Sequence, residues 1–213
     1  GVVAFVSNPY LLAIGVFNLM YVPMSTFVYM ELREMLAVFD RPERTAINAR
    51  IDLAVNSIAL LTALFITGRV ASRFGVATLL AAIPFMMVGG WLVVAAVPVL
   101  GVMYGLQIAR RAGNYAVTKP GREMLFTVVT DDERYKAKPV IDICVYRGGD
   151  MVTAWFHTGL KEIFAFGLPG VALVAAGIAG IWALSGIYLG RAYQRKESAA
   201  QSAGEQQPVS QEG

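Results

Sequence analysis

The chain has one cysteine, Cys144, and one histidine, His157, in 213 residues. A single cysteine excludes an internal disulfide and a cysteine metal cluster. A single histidine leaves a histidine metal site or a Ser-His-Asp triad without its parts, and no GxxxxGK[ST] phosphate-cradling loop is present. No metal, no cofactor and no enzymatic activity are therefore expected. Charge is scarce too: charged residues make up 15% of the chain and hydrophobic residues 56%, where soluble domains carry about 25% charged residues. With a mean hydropathy of +0.56, the composition is that of an integral membrane protein. The chain opens at Gly1 without a methionine or a basic leader and cleavage site, so residues before Gly1 are expected to be missing.

What is present is a series of long apolar runs. Six approach the ~20 residues needed to cross a bilayer, at about 9–30, 51–68, 77–97, 99–117, 139–160 and 168–189. Asn8-Pro9 opens the first as a cap followed by proline at the first helical position, and Pro23 is expected to kink it. Asp40-Arg41-Pro42-Glu43 starts the helix that carries the second run. Thr130-Asp131-Asp132-Glu133 is a capping box before the fifth. Only Ala96-Val97-Pro98-Val99 separates the third from the fourth, which predicts an antiparallel hairpin. Residues 1–192 form the transmembrane unit. Residues 193–213 have almost no large apolar side chains and are expected to be a disordered polar tail.

Orientation follows from Lys and Arg in alternate loops. Arg69, Arg73, Lys119, Arg122, Arg134, Lys136, Lys138, Arg191, Arg195 and Lys196 fall on one side; Arg33, Arg41, Arg44, Arg50 and Lys161 fall on the other. The richer side is cytoplasmic, and an even number of spans puts both ends of the chain there.

Arg147-Gly148-Gly149-Asp150 lies in the middle of the fifth run. Charges at bilayer depth cost several kcal/mol unless they face protein or water. Such a pair marks either a substrate pathway or an ion pair locking two helices. Arg147 is three residues before Asp150 and reaches it along one face; a protonatable Asp150 coupled to a proton gradient is the rival reading. The glycines allow close approach of a helix or ligand, and Pro23, Gly148 and Gly149 are the expected gating or helix-breaking points. Asp142, near the end of the same span, is read as a partner for a basic neighbour such as Lys138.

Arg110 and Arg111 lie about two turns inside the fourth span. Their planar donor forks suit phosphate oxygens; the alternative is snorkelling to the headgroups. Adjacent helical positions diverge by ~100°, so one of the two is expected to face a cavity. Asn18, Tyr21, Tyr29, Asn56, Asn114 and Tyr115 are further candidates for its wall, or else helix contacts. His157 is expected at the membrane interface. Arg122 to Val129 is read as an amphipathic segment resting on the cytoplasmic surface.

From Arg110-Arg111-Ala112-Gly113-Asn114-Tyr115, through Lys119-Pro120-Gly121-Arg122-Glu123 and Tyr135-Lys136-Ala137-Lys138, to Val145-Tyr146-Arg147-Gly148-Gly149-Asp150, the chain resembles the ATP/ADP antiporter family of bacteria and plastids. Pro9-Tyr10-Leu11-Leu12 and Ser25-Thr26-Phe27-Val28-Tyr29 are similar to the same family, and Gly68-Arg69-Val70-Ala71-Ser72-Arg73-Phe74-Gly75 resembles the signature loop of the major facilitator superfamily without its acidic residue. Where nucleotide exchangers of that family carry a lysine beside a glycine pair, this chain has Arg147. The resemblance covers about residues 8–190 and implies an all-α membrane protein of six transmembrane helices, the C-terminal half of a major-facilitator-type transporter. It implies exchange of nucleotides, ATP against ADP, across a bacterial inner membrane or plastid-type envelope. The partners are then membrane lipid, a small anionic substrate and an N-terminal six-span half or a second copy, with no nucleic acid. The alternatives are proton-coupled transport of another organic anion or drug, and a non-transporting membrane scaffold.

Overall fold

The computed structural model describes residue 5 and residues 8–205; the side chains at 66–74, 136, 142, 200–201 and 203–205, which include Arg69, Arg73, Lys136 and Asp142, lie outside the description. Helix α1, Pro9–Met35, starts where the Asn8 side chain accepts from the Tyr10 backbone N–H at 3.0 Å, and it runs on through Pro23 without a break. Helix α2, Arg41–Thr62, is capped by Asp40, whose carboxylate accepts from Glu43 N–H at 2.9 Å. Helix α3, Gly68–Ala96, bends at Gly75, where φ of 76° suits a residue without Cβ.

Helix α4, Leu100–Gly113, continues through a wide turn at Asn114–Thr118 into α5, Lys119–Met124, which tightens at Leu125–Val128. Helix α6, Asp131–Pro139, opens with both hydrogen bonds of the Thr130–Glu133 capping box. A second wide turn, Val140–Val145, leads into α7, Tyr146–Glu162, and α8 spans Leu168–Glu205. Among the described residues there is no strand.

Four helical stretches are long and apolar enough to cross a membrane: Pro9–Val38, Arg41–Phe65, Gly75–Ala96 and Leu168–Ala199. These suit an integral membrane protein. Residues 100–124 and 131–162 are also unbroken helix, but Arg110 and Arg111 interrupt the first and Arg147 and Asp150 the second.

Helix α1 runs between α4, α7 and α8, while α3 lies along α8. Leu11, Ile14 and Phe17 of α1, Met87 and Trp91 of α3 and Trp182 of α8 are buried to the last ångström of side chain. The α3–α8 contact depends on two glycines one turn apart. A Cβ at Gly190 would stand 2.3 Å from Ala77 Cα, and one at Gly186 would stand 2.9 Å from the Leu80 carbonyl oxygen. Small residues at this spacing let helix backbones touch, so dispersion acts over many atoms. Outside their contacts with the bundle, α2 and α7 carry bare apolar faces: Leu53, Leu60 and Leu64 on one continuous stretch, Met151, Val152 and Trp155 on the other.

Two segments differ from their sequence reading. The tail is helical as far as Glu205; it lacks large apolar side chains, yet Ala, Gln and Glu extend a helix whose nucleation α8 has already achieved. Tyr193 is buried there, and Lys196 lies 5.1 Å over the Tyr10 ring. The segment Arg122–Val129 enters the bundle instead of resting on a surface. Leu125 and Phe126 are buried, and the Leu125 carbonyl accepts from the Tyr10 hydroxyl at 3.0 Å.

Asn8 also ties α6 to the start of α1, donating through Nδ2 to Glu133 Oε1 at 2.9 Å. That bond first, and the Thr130 backbone after it, hold the Glu133 carboxyl below its ordinary value of 4.5. A carboxyl depressed in the folded state stabilises it above the unfolded value and ceases to do so as pH falls through the folded value. Amide protection over residues 131–135, corrected for intrinsic exchange, should hold from neutral pH down to about 4.5 and be lost below it. Protection that declines between neutral pH and that value would contradict the tie.

Candidate functional site

A cleft of about 790 Å³ opens between α1, α2, α4 and α7, a size that suits a small organic ligand. Its lining carries Arg33, Arg44, Arg110 and Arg111 against Asp52 and Asp150. The guanidinium groups outnumber the carboxylates, so the cleft has a positive excess.

Arg110 is the most constrained of them, at 4% exposure. The α4 helix directs it towards α1, where Nη1 donates to the Tyr21 hydroxyl at 3.0 Å; Nη2 donates to Gln107 Oε1 at 2.9 Å. Gln107 is one turn earlier on the same helix, within reach by i,i+3 spacing. Both partners are neutral, and among the described residues no carboxylate pairs with Arg110. A buried charge answered only by neutral groups costs several kcal/mol, which an anion in the cleft would offset.

Arg111 also lines the cleft, reaching sideways to Asp52 of α2 at 2.5 Å. With side-chain exposures of 30% and 55%, that pair is worth at most about 1 kcal/mol and opens readily. The sequence reading brought one of these arginines to a cavity; the structure brings both, because α1 flanks one side of α4 and α2 the other.

Asp150 lines the cleft and accepts from the Thr26 hydroxyl at 3.3 Å. It makes no ion pair with Arg147, which is exposed and stands outside the lining. Helical spacing allows the contact, but Thr26 of α1 takes Asp150 instead. Helix α7 runs unbroken through Gly148 and Gly149, and the two glycines differ in role. A Cβ at Gly149 would meet Leu19 at 3.1 Å and Val22 at 3.3 Å, whereas one at Gly148 would meet nothing within 4 Å. Gly149 thus sets the approach of α1 to α7. Pro23 lines an apolar groove with both of them, on the other side of α1.

Asn18 is buried and serves a second polar group. Its Oδ1 accepts from Arg122 Nη1 at 2.8 Å, and Arg122 also donates to the Tyr146 hydroxyl at 2.5 Å. Tyr146 meets Tyr21 edge to face at 6.2 Å. Arg110, Tyr21, Tyr146 and Arg122 therefore form a polar line along α1, joining the cleft to the end of the bundle where α1 begins. Tyr29, at 59% exposure, lines the cleft; Asn56, Asn114 and Tyr115 lie outside its lining. Lys138 pairs with Glu123 at 2.8 Å. Burial works against the Glu123 carboxylate, but the Lys138 hydrogen bond and charge, with Arg122 and Arg134 behind them, hold its carboxyl below the ordinary range.

A third group sits at the opposite end of the bundle, where α1 finishes. His157 of α7 is 1% exposed and Glu31 of α1 is 2% exposed, with Nε2 and Oε1 2.8 Å apart. Lys161 reaches Glu31 at 3.1 Å and also pairs with Glu34. Lys161 stands between the two carboxylates. This histidine is buried, not interfacial, because a carboxylate on a neighbouring helix and the edge of Phe27, 5.1 Å away, enclose it. The sequence signal was a matched pattern: Glu31 and Glu34 share one face of α1, and His157 and Lys161 share one face of α7. Gln107 was within reach of Arg110 by i,i+3 spacing alone, whereas Arg122, Tyr146 and Thr26 stood only inside longer motifs, since each gains its role from a neighbour distant in sequence.

The arrangement offers forked donors to an anion, aromatic hydroxyls beside them and titratable groups at one end. No family model, curated protein or solved structure matches this chain, so its chemistry rests on these residues.

Proposed function

We propose that the protein is a membrane transporter of organic anions, and that nucleotides, ATP against ADP, are its substrates. The observation that carries this reading is Arg110, a buried guanidinium without a carboxylate partner that lines an open cleft of about 790 Å³. A triphosphate supplies the missing negative charge, and guanidinium forks bind phosphate oxygens in pairs. The resemblance of residues 110–150 to ATP/ADP antiporters supports the choice of nucleotide over other anions.

In this reading the two charged runs, about 99–117 and 139–160, complete six spans, arranged as one half of a major-facilitator-type transporter. The bare faces of α2 and α7 then meet an N-terminal half or a second copy. The substrate site lies near the midplane between halves that rock against each other. The tail side, with the richer set of Lys and Arg, faces the cytoplasm of a bacterial inner membrane. Proton-coupled uptake of another organic anion or drug is the second reading, favoured by the buried Glu31–His157 pair.

Uptake of labelled ATP into vesicles holding the full-length protein, with and without ADP inside, tests the proposal. Stimulation by internal ADP supports nucleotide exchange. Absence of uptake in both conditions, from inserted and folded protein, refutes it.

A further inference from the structure

Four ionisable side chains gather at the end of the bundle where α1 finishes, none of them part of the anion cleft's lining. Glu31 and Glu34 come from α1; His157 and Lys161 come from α7. Two arginines stand at the same end: Arg33 of α1 lines the cleft, and Arg44 of α2 donates to the Phe39 and Ala37 carbonyls, neither of them paired with Glu31 or Glu34 among the described residues. Helix α8 carries no charged residue between Leu168 and Leu189. Phe27 covers the imidazole edge-on at 5.1 Å, and Phe156 stacks on Phe27 at 6.2 Å. Water is thus kept from Glu31 and His157, while Lys161 and Glu34 reach the surface.

The charges do not cancel while His157 is neutral. Two carboxylates then face one ammonium, and the uncancelled negative charge rests against the buried Glu31. Because a carboxylate only accepts, His157 donates to it through Nε2–H, which leaves Nδ1 to take a proton. One proton on Nδ1 makes two cations against two carboxylates and brings the cluster to neutrality. Few buried sites gain as much from a single proton, since an uncompensated charge between helices costs several kcal/mol.

We propose that Glu31, His157, Lys161 and Glu34 form a proton-binding site that latches α1 to α7 at the outer end of the bundle. With the proton bound, the neutral cluster holds the two helices together and that end is closed. Release of the proton through Lys161 and Glu34 leaves a net negative charge between them, and the end opens to hydrate it. Resting on the transport reading above, this makes the proton the ion linked to opening on the outer side, a role distinct from substrate binding at Arg110.

The test is the distance between spin labels at the ends of the two helices, in full-length protein in lipid. The labels go on Val38→Cys and Ile163→Cys, both highly exposed positions, with the native Cys144 replaced by serine. Between about pH 5 and about pH 8, the range over which imidazole charge changes, the distribution should move to longer distances as pH rises. The movement should vanish in His157→Gln, which cannot take the proton, and, separately, in Glu31→Gln, which leaves Lys161 and Glu34 balanced while His157 is neutral. A distance that ignores pH in the parent protein overturns the proposal, as does a pH response that survives in either variant. No substrate is needed, so failure here leaves the anion reading intact, and absence of ATP uptake leaves the latch intact.

Discussion

Replacing Arg110 by methionine removes anion uptake and leaves the protein as stable as before, or more so. The two effects have opposite signs because Arg110 is a burden to the empty protein. It is 4% exposed and, among the described residues, hydrogen-bonds Tyr21 and Gln107 but no carboxylate. Exchange of a buried ionic group for an apolar one of similar length is often neutral or stabilising by about 1–4 kcal/mol. In the loaded protein the same guanidinium makes charged hydrogen bonds to the anion, each worth about 1.5–3 kcal/mol. Loss of two lowers affinity by a factor of roughly 100 or more, at about 1.4 kcal/mol per tenfold.

Arg110→Lys should retain part of the affinity, because the charge remains but the planar fork does not. The measurements are ATP uptake and thermal unfolding of each variant. Undiminished uptake in Arg110→Met would place the anion elsewhere, and a large drop in unfolding temperature would mean that Arg110 serves the fold. Arg147→Ala is the companion variant. Arg147 is exposed outside the cleft lining, so under the proposed function its loss lowers uptake only if a partner half or second copy brings substrate to that face.

The largest effect on stability falls on Gly190. A leucine there meets backbone, with Ala77 Cα 2.3 Å from the position of the new Cβ. No rotamer relieves such a contact, so α3 and α8 must separate along a seam that also includes Gly186 and Leu80. Overpacking of this kind costs about 3 kcal/mol or more, a fall of roughly 10 °C in unfolding temperature for a chain of this size. Gly177→Leu on the same helix is the control, because nothing lies within 4 Å of a Cβ there. Equal loss in both variants would show that helix propensity or insertion, and not the α3–α8 seam, controls the outcome.

Much of the local structure was legible in the sequence because its causes are local. Asn8, Asp40 and Thr130 each cap a helix through an atom within three residues of their own position. Apolar length gave six candidate spans, and four of the helical stretches are long and apolar enough to cross a membrane. The charges at Arg110 and Arg147 were legible as anomalies, since a polar group in an apolar run stands out without knowledge of its neighbours. The tail at 193–205 was misread because absence of large side chains removes packing but not helix propensity.

What the sequence alone determined, then, is a helical chain with runs long and apolar enough to cross a membrane, the starts of its helices and the residues whose charge demands an explanation. Tertiary structure decided which of those residues meet. Arg110 finds Tyr21 across 89 positions, and His157 finds Glu31 across 126. Helical periodicity gives the face on which a side chain lies, but not the helix that covers that face. That choice rests on where backbones approach closely: at Gly149 against Leu19 and Val22, and at Gly190 against Ala77. The approach at Gly149 brings α1 against α7, and across that seam Asp150 bonds to Thr26 instead of Arg147. It also encloses His157, whose place near the far end of its apolar run predicts an interfacial position. Contact between helices is a property of two surfaces at once, and one stretch of sequence specifies only one of them.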